Sequence, residues 1–261
     1  MLGLGLNIQP RVVGVATDPD AQTFFTNTGI TDATIKTAIN NHVLGLKADS
    51  LWTLVDAIYP LVGGSATTHK YNLKDPRDLD DAFRILWSGG LTHASTGVTG
   101  NAVNGYGETY INPSTIGTNV NQSFGVYVRT NVAGSQCEFG GYVGSNYCQL
   151  STRWGNTIQM DVNGYGSTIA NTDSRGIYIG SRLNNTTVRA LYNGTFANMN
   201  NATNVGRPNV TLNLFRLKNY GGFSGKEISY AFFSRNSFSD SQLTALSTRI
   251  LELQTALSRN V

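Results

Sequence analysis

The densest run of reactive side chains is "HKYNLKDPRDLDDAF", His69 to Phe83, which holds four of the chain's sixteen acids beside a histidine, two lysines and an arginine. Asp75, Asp78, Asp80 and Asp81 with His69 supply the atom types of a metal site or of an acid–base pair. Their spacing fits neither. An EF-hand-type calcium loop takes oxygens at alternating positions, a glycine turn and a closing glutamate. A zinc site takes several Cys and His at short spacing, and His69 and His93 have no such companions. A nucleophilic triad finds little material either, because the histidines are His42, His69 and His93 and no Gly-x-Ser-x-Gly elbow occurs. A scaffold accounts for the residues more fully. Asp75 can cap the turn begun by Pro76, Arg77 can pair with neighbouring aspartates, and Leu79, Ala82, Phe83, Ile85 and Leu86 can anchor the segment to a core. The sequence therefore predicts a salt-bridged joint here, and no catalytic residue, metal or other cofactor in the chain.

Glycoside hydrolysis needs two carboxylates a few ångströms apart. From Tyr106 onward the acids ahead of the C-terminal helix are Glu108, Glu138, Asp161, Asp173 and Glu227, all isolated in sequence, apart from Asp240 at the helix start. Binding a sugar without cleaving it asks for less: an aromatic face for stacking and a few amide or guanidinium donors on loops. "STRWGN" supplies Arg153, Trp154 and Asn156, while Tyr165, Tyr178 and Tyr192 lie near turns. These six are the candidate ligand-binding residues, with burial in a core as the alternative fate of each aromatic ring.

The elements that must carry them change along the chain. From Asp18 to Ile58 the apolar period is helical. Asp18 before Pro19 caps one helix that Gly29 stops, and Thr31 can cap a second with Ile35, Ala38, Ile39, Val43 and Leu46 on one face. A third helical stretch carries Leu51, Trp52, Leu54, Val55 and Ile58, before Pro60 and Gly63-Gly64. Beyond Gly89-Gly90 short alternations predict half-buried strands: Phe124, Val126 and Val128; Ile158, Met160 and Val162; "GIYIGS"; "TLNLFRL". Asn104-Gly105, Asn163-Gly164 and Asn193-Gly194 favour two-residue hairpin turns. Such spacing argues for an antiparallel sandwich over a parallel α/β sheet. Ser239 and Gln242 then form a capping box ahead of Leu243, Leu246, Ile250, Leu253 and Leu257, a stripe that either docks on the sandwich or pairs with a copy of itself.

Composition agrees. Charged residues are 13% of the chain, and Gly, Asn, Thr and Ser together are roughly two fifths, a balance suited to short strands and tight turns. The net charge of +3 is too small to imply nucleic acid or a membrane surface. Between Ile111 and Gly222 eight basic residues face three acids, but they are scattered along the sequence. Cys137 and Cys148 flank "EFGGYVGSNY", which reads as a hairpin with a broad turn, and buried unpaired thiols are expected. The start has no basic region before its apolar residues, so it does not read as a signal peptide, and no apolar run reaches membrane-spanning length.

Two stretches carry a family likeness. "VRALYNGTFA" (Val188 to Ala197), followed after a further strand by "GGFSGKEISYAFFSRNSFSDSQLTAL" (Gly221 to Leu246), resembles the closing part of concanavalin A-like, laminin-G-type jelly rolls. There an Asn-Gly hairpin leads to a late strand and a Leu-Ser-Asp-type helix start, here Phe238-Ser239-Asp240. The stretch from Gly29 to Asn101, "GITDATIKTAINNHVLGLK" through "GGLTHASTGVTGN", resembles a leader module found ahead of such jelly rolls in virion and tail-associated proteins of tailed bacteriophages. The glucanases of this fold set their carboxylates as acid-x-acid-x-x-acid on one strand, a pattern this sequence lacks.

The resemblance implies a mainly β antiparallel jelly-roll sandwich with an N-terminal helical region and a C-terminal helix. The expected organisation is an extended arm over 1–17, a helical leader over 18–88, the sandwich over 89–236 and the C-terminal helix over 237–261. The apolar start "MLGLGLNI" is expected to add to a neighbouring subunit's sheet. The implied function is that of a non-enzymatic virion protein, in tail, fibre or capsid surface, assembled in the host cytoplasm. Its expected partners are other virion proteins, further copies of itself and a host-surface glycan, with no nucleic acid and no membrane insertion. A carbohydrate-active enzyme or a cellular lectin of the same fold is the alternative.

Overall fold

Asp18 and Gly29 bracket α1 (Pro19–Thr28): the Asp18 carboxylate accepts from the Asp20 amide at 2.9 Å, and the Gly29 N–H, at a left-handed φ of 70°, reaches the Phe25 carbonyl. The computed structural model describes residues 16–134, 137–200 and 206–261, so the expected N-terminal arm lies, but for its last two residues, outside the described residues. Helix α2 (Ala33–Ala48) begins on Asp32 rather than Thr31, because the Asp32 carboxylate accepts from the Ile35 amide at 2.8 Å. A single turn, α3 (Ala66–His69), and the long α4 (Asp240–Ala256) both open with capping boxes, Ser65 with Thr68 and Ser239 with Gln242.

The expected third helix is not one. Leu51–Ile58 is a turn running into a strand, β1 (Ala57–Tyr59), which pairs antiparallel with β17 (Glu227–Ser234), Ala57 opposite Phe233 and Tyr59 opposite Ala231. The Ile58 amide donates to Asn72 Oδ1 at 2.9 Å, so partners distant in sequence outweigh the local helical period.

Two sheets form the sandwich. The first runs β13 (Thr195–Asn200), β12 (Thr187–Tyr192), β11 (Gly176–Arg182), β6 (Gln122–Val128), β17, β4 (Gly97–Thr99) and β3 (Thr92–Ala94), with β1 also on β17. The second runs β10 (Thr168–Ala170), β9 (Thr157–Val162), β8 (Asn146–Trp154), β7 (Phe139–Val143), β14 (Asn213–Leu214), β5 (Tyr106–Glu108) and β2 (Leu86–Ser88). A short hairpin of β15 (Arg216–Lys218) and β16 (Gly221–Phe223) joins it, β15 lying parallel to β7. The fold is thus the expected mainly β, antiparallel jelly-roll sandwich with helices at both ends of the chain.

Between the sheets pack Phe124, Val126 and Val128 of β6, Leu150 of β8, and Ile158, Met160 and Val162 of β9. The opposite face of the first sheet is also covered. Tyr127, Ile177, Ile179, Tyr230 and Phe232 meet Phe24 of α1, Ile39, Val43 and Leu46 of α2, and Leu243, Leu246 and Ile250 of α4. Hence β6 and β11 are buried along their whole length, where half-buried strands were expected: the small residues and tyrosines that look like a wet face are pressed under helices. The α4 stripe is spent inside the chain, against α2 and this sheet.

The expected joint holds as ion pairs. Arg77 forks onto Asp75 at 2.8 and 2.6 Å, Arg84 bridges Asp78 and Asp80 at 2.9 and 2.8 Å, and Lys70 pairs with Asp78. Ala82 and Ile85 anchor it in the core. Leu79 and Leu86, expected beside them, are 49% and 51% exposed, since the one-turn helix between them and the short edge strand β2 turn both outward. The stretch 18–88 therefore supplies β1 and β2 to the sheets as well as helices. Of the three Asn-Gly pairs, Asn193-Gly194 makes the two-residue turn, both at positive φ, between β12 and β13. Asn163-Gly164 opens a longer link to β10, and the loop around Asn104-Gly105 is folded onto the Asn101 side chain, which accepts from the amides of Val103, Asn104 and Gly105. The β7–β8 hairpin turns tightly at Gly144-Ser145, Val143 opposite Asn146, rather than broadly, and Cys137 and Cys148 are buried free thiols.

One ionic contact ties the sheets together. Glu138, beside β7, and Lys226, beside β17, are both wholly buried and pair at 2.8 Å. Glu138 also accepts from the Thr152 amide at 2.6 Å and the Ser224 hydroxyl at 3.0 Å. Removing one charge strands the other in the interior. Glu138→Gln or Lys226→Met alone is expected to cost about 3–5 kcal/mol in urea unfolding, whereas Glu138→Leu with Lys226→Met together should cost clearly less than the two single losses summed. Additive losses would show that the pair is not coupled.

Candidate functional site

With Ile158, Met160 and Val162 turned into the core, Gln159 and Asp161 face outward from the second sheet. Pairing extends that outer face in register: Tyr142 opposes Tyr147, Gln149 opposes Asp161, and Ser151 opposes Gln159. These outward positions are not wet, for Ser151, Gln159 and Asp161 have essentially no exposed surface and Gln149 only 6%. Aromatic rings and the β15–β16 turn rise around them.

The result is a cleft of about 270 Å³ lined by Tyr147, Trp154, Tyr165 and Tyr220 at the walls, Gln149 and Gln159 at the floor, and Cys137, Leu217, Gly221 and Gly222 beside β15. The tyrosines form a connected array. Tyr147 lies 4.4 Å from Tyr142 and 5.6 Å from Tyr165 between ring centroids, and Tyr220 stands edge-on to Tyr142 at 5.7 Å. Tyr165 and Tyr220 remain 57% and 64% exposed, so rings are presented to solvent at the mouth. Gly221 and Gly222 reach it through successive positive φ of 104° and 74°, a conformation that side-chain-bearing residues resist.

The floor is polar and almost fully paired. Gln159 Nε2 donates to Asp161 Oδ2 at 2.8 Å, the Gly166 amide donates to Asp161 Oδ1 at 2.8 Å, and Gln149 Nε2 donates to the Ser151 hydroxyl at 3.1 Å. Gln159 Oε1 has no partner. Burial raises the Asp161 carboxyl to about 7, against the lowering effect of the two donors and of Arg182. Among the described residues no carboxylate lines the cleft. Glu138 is spent on Lys226, Glu108 pairs with Lys218, Glu227 with Arg129 and Asp173 with Arg175.

The six sequence candidates divide. Trp154 and Tyr165 line the cleft. Arg153 and Asn156 lie behind it, Arg153 donating to Asn131 at 2.9 Å and to Asn156 at 3.0 Å, which braces the turn that carries Trp154. Tyr178 and Tyr192 are not at the site: they oppose each other on β11 and β12 of the other sheet. Tyr178 is wholly buried with its hydroxyl on the Asp173 carbonyl at 2.6 Å, and Tyr192 packs on the core, because their strand positions face inward. The site residues that went unnoticed are Tyr147, Tyr220, Gln149 and Gln159. One of them, Gln159, was legible as the polar complement of the alternation that put Ile158, Met160 and Val162 inside.

Elsewhere the fold brings His69 and His93 together, Nδ1 to Nδ1 at 3.0 Å. Because the Gly64 amide donates to His69 Nε2 at 3.1 Å, His69 carries its proton on Nδ1 and donates it to His93. Among the described residues no three His, Cys, Asp or Glu side chains gather in a metal-binding group. His42 donates from Nδ1 to the Arg249 carbonyl and accepts at Nε2 from the Tyr230 hydroxyl, both at 3.0 Å, so it too is held neutral.

No family model matches the chain, and no curated protein does. Among solved structures it is similar to a Trypanosoma rangeli sialidase mutant displaying trans-sialidase activity, with 9% identity and a TM-score of 0.51 over 85% of this chain and 39% of that one. It is similar to the botulinum neurotoxin serotype D binding domain, with 7% identity and a TM-score of 0.51 over 77% and 52%. A third is domain 4 of AbnA, a GH43 extracellular arabinanase from Geobacillus stearothermophilus, in complex with arabinotriose, with 13% identity and a TM-score of 0.46 over 74% and 98%. The chain spans 39% of the sialidase and 52% of the toxin domain. At these identities the likeness establishes the sandwich fold alone.

Acid should loosen this structure in a defined window. Burial lowers His42 to about 4 and His69 to about 3 from an ordinary 6.5, and raises Asp161 to about 7 from 3.8. Between pH 6.5 and about 4 the unfolded chain carries a proton on each histidine that the folded chain lacks, while folded Asp161 carries one that the unfolded chain lacks. His93, also lowered by burial, adds to the count, so the net excess is at least one bound proton when unfolded, and stability falls by about 1.4 kcal/mol or more per pH unit on acidification. Asp161→Asn removes the opposing proton and should steepen the slope by about as much again. Urea midpoints that stay flat from about pH 6.5 to 4.5 would contradict this proton count.

Proposed function

We propose that this chain is a non-enzymatic glycan-binding protein whose ligand lies in the tyrosine-walled cleft on the outer face of the second sheet. One observation carries the reading. Tyr147, Tyr165 and Tyr220 converge from a strand, a loop and a hairpin onto a buried polar floor that still offers an unfilled acceptor. Aromatic faces cover the apolar faces of a sugar ring, and floor amides take its hydroxyls. The absence of a carboxylate among the described lining residues supports binding without cleavage, since hydrolysis needs two. The fold shared with a sialidase and a toxin binding domain is compatible with that use.

The setting we propose rests on the leader segment, whose resemblance to modules of tailed-bacteriophage virion proteins supports a tail, fibre or capsid-surface component, assembled in the host cytoplasm and self-associating, that holds the host-surface glycan. Peptides of this chain in mass spectra of purified particles are the expected result; a chain found only in the soluble lysate would remove the virion role. A carbohydrate-active enzyme is the second reading, favoured by one observation, the Asp161 carboxyl poised near 7 beneath the floor.

Titration calorimetry against host-surface oligosaccharides tests the first reading. Tyr147→Ala and Tyr165→Ala should each weaken binding about tenfold, the worth of roughly 1.4 kcal/mol of ring contact, with the melting temperature little changed. Full affinity in both variants would rule out the cleft. Release of reducing sugar that stops in Asp161→Asn would decide for the enzyme.

A further inference from the structure

The floor offers the ligand one defined polar group. Gln159 lines the cleft but is wholly buried; its Nε2 is committed to Asp161, and its Oε1, itself enclosed, has no partner. An ionised carboxylate only accepts hydrogen bonds, so Asp161 can hold the amide in one way: nitrogen toward itself, oxygen toward the ligand. Asp161 is itself held by the Gly166 amide from the far side. An acceptor in a nearly dry floor must meet a donor or lose the strength of a hydrogen bond. A sugar hydroxyl or an acetamido N–H donates; a carboxylate or a sulfate does not. The walls add no cation for such a group, since among the described residues neither Lys nor Arg lines the cleft, and the Asp161 charge beside Gln159 repels an anion placed in it.

We propose that the cleft selects neutral glycans, a ligand hydroxyl donating to Gln159 Oε1, and that Asp161 is the positioning residue that keeps this oxygen turned outward. This rests on the glycan-binding reading above and adds the class of glycan. It also carries a signature of its own. Once Asp161 takes up a proton its carboxyl can donate to Gln159 Oε1; the amide then turns over, presents Nε2 to the cleft, and the bar against anionic ligands drops. The groups facing Asp161 are Tyr147 and Cys148 of β8, Gln159 of β9, the Tyr165-Gly166 turn and Arg182 of β11. Burial pushes Tyr147 and Cys148 up to about 12, and Arg182 stays a cation despite a lowered value, so Asp161 is the member that titrates near neutrality.

The test compares neutral oligosaccharides with the same backbones ended in sialic acid or a uronic acid, by calorimetry on the full chain at about pH 8 and about pH 6, where those ligand carboxylates stay ionised. At the higher pH neutral ligands should bind at least tenfold more tightly. That ratio should shrink several-fold at the lower pH, and in Asp161→Asn it should be small and independent of pH. Gln159→Met, which keeps the length of the side chain without its amide, should lose about tenfold for neutral ligands at both pH values. A merely structural Asp161 would alter melting but leave the ratio alone. Equal or tighter binding of the anionic ligands at about pH 8 overturns the inference, as does a ratio that ignores pH in the unsubstituted chain, a measurement that stands even if the variants fail to fold. Binding of neither class overturns the glycan reading itself, an outcome distinct from binding without selectivity.

Discussion

The Glu138–Lys226 contact is the constraint on which the sandwich and its cleft both depend. Each charge is wholly buried, and a lone charge in that position would cost several kcal/mol, so the two strand ends that carry them cannot drift apart. The second oxygen of Glu138 takes the Thr152 amide at the point where β8 slips register against β9 between Ser151 and Trp154. That slip puts Trp154, still paired with Thr157 of β9, on the cleft side of the sheet, braced by Arg153 on Asn131 and Asn156. An interaction that joins the sheets thus also sets one wall of the site. It uses up a carboxylate in doing so, and the polar groups lining the cleft floor are the neutral amides of Gln149 and Gln159.

The two outer faces of the sandwich have opposite fates. Helices α1, α2 and α4 cover the first sheet with aliphatic and aromatic contacts. On the second sheet the outward rows are polar yet enclosed, because tyrosines and the Gly221-Gly222 turn stand around them. Buried polar rows are stable when each group is paired, and here pairings are left open at Gln159 Oε1 and at the Asn213 side-chain amide.

Much of this was legible in the sequence where a few adjacent residues decide the outcome. Asp18 with Gly29, Ser239 with Gln242, and Asp75 with Pro76 and Arg77 act within a turn of chain, and the structure places each as its chemistry requires. Alternation likewise separated Ile158, Met160 and Val162 from Gln159 and Asp161. What stayed hidden depends on partners far along the chain. Leu51–Ile58 has helical spacing, but β17 offers it a free strand edge. Tyr178 and Trp154 look equivalent as aromatic residues near turns, and only the sheet to which each belongs and the parity of its strand separate core from cleft. Tyr147 and Tyr220 meet through a register and a hairpin that no local pattern announces.

The helical layer has a consequence in time as well as in space. Tyr127, Ile177, Ile179, Tyr230 and Phe232 form an apolar sheet face whose cover comes from either side of the strands in chain order, α1 and α2 made before them and α4 after them. During synthesis the two early helices must wait for strands that emerge long after them, and the patch beneath α4 stays open until α4 itself has been made. Assembly is therefore vectorial with a late closing step, and the nascent chain is at its most adhesive just before α4 emerges.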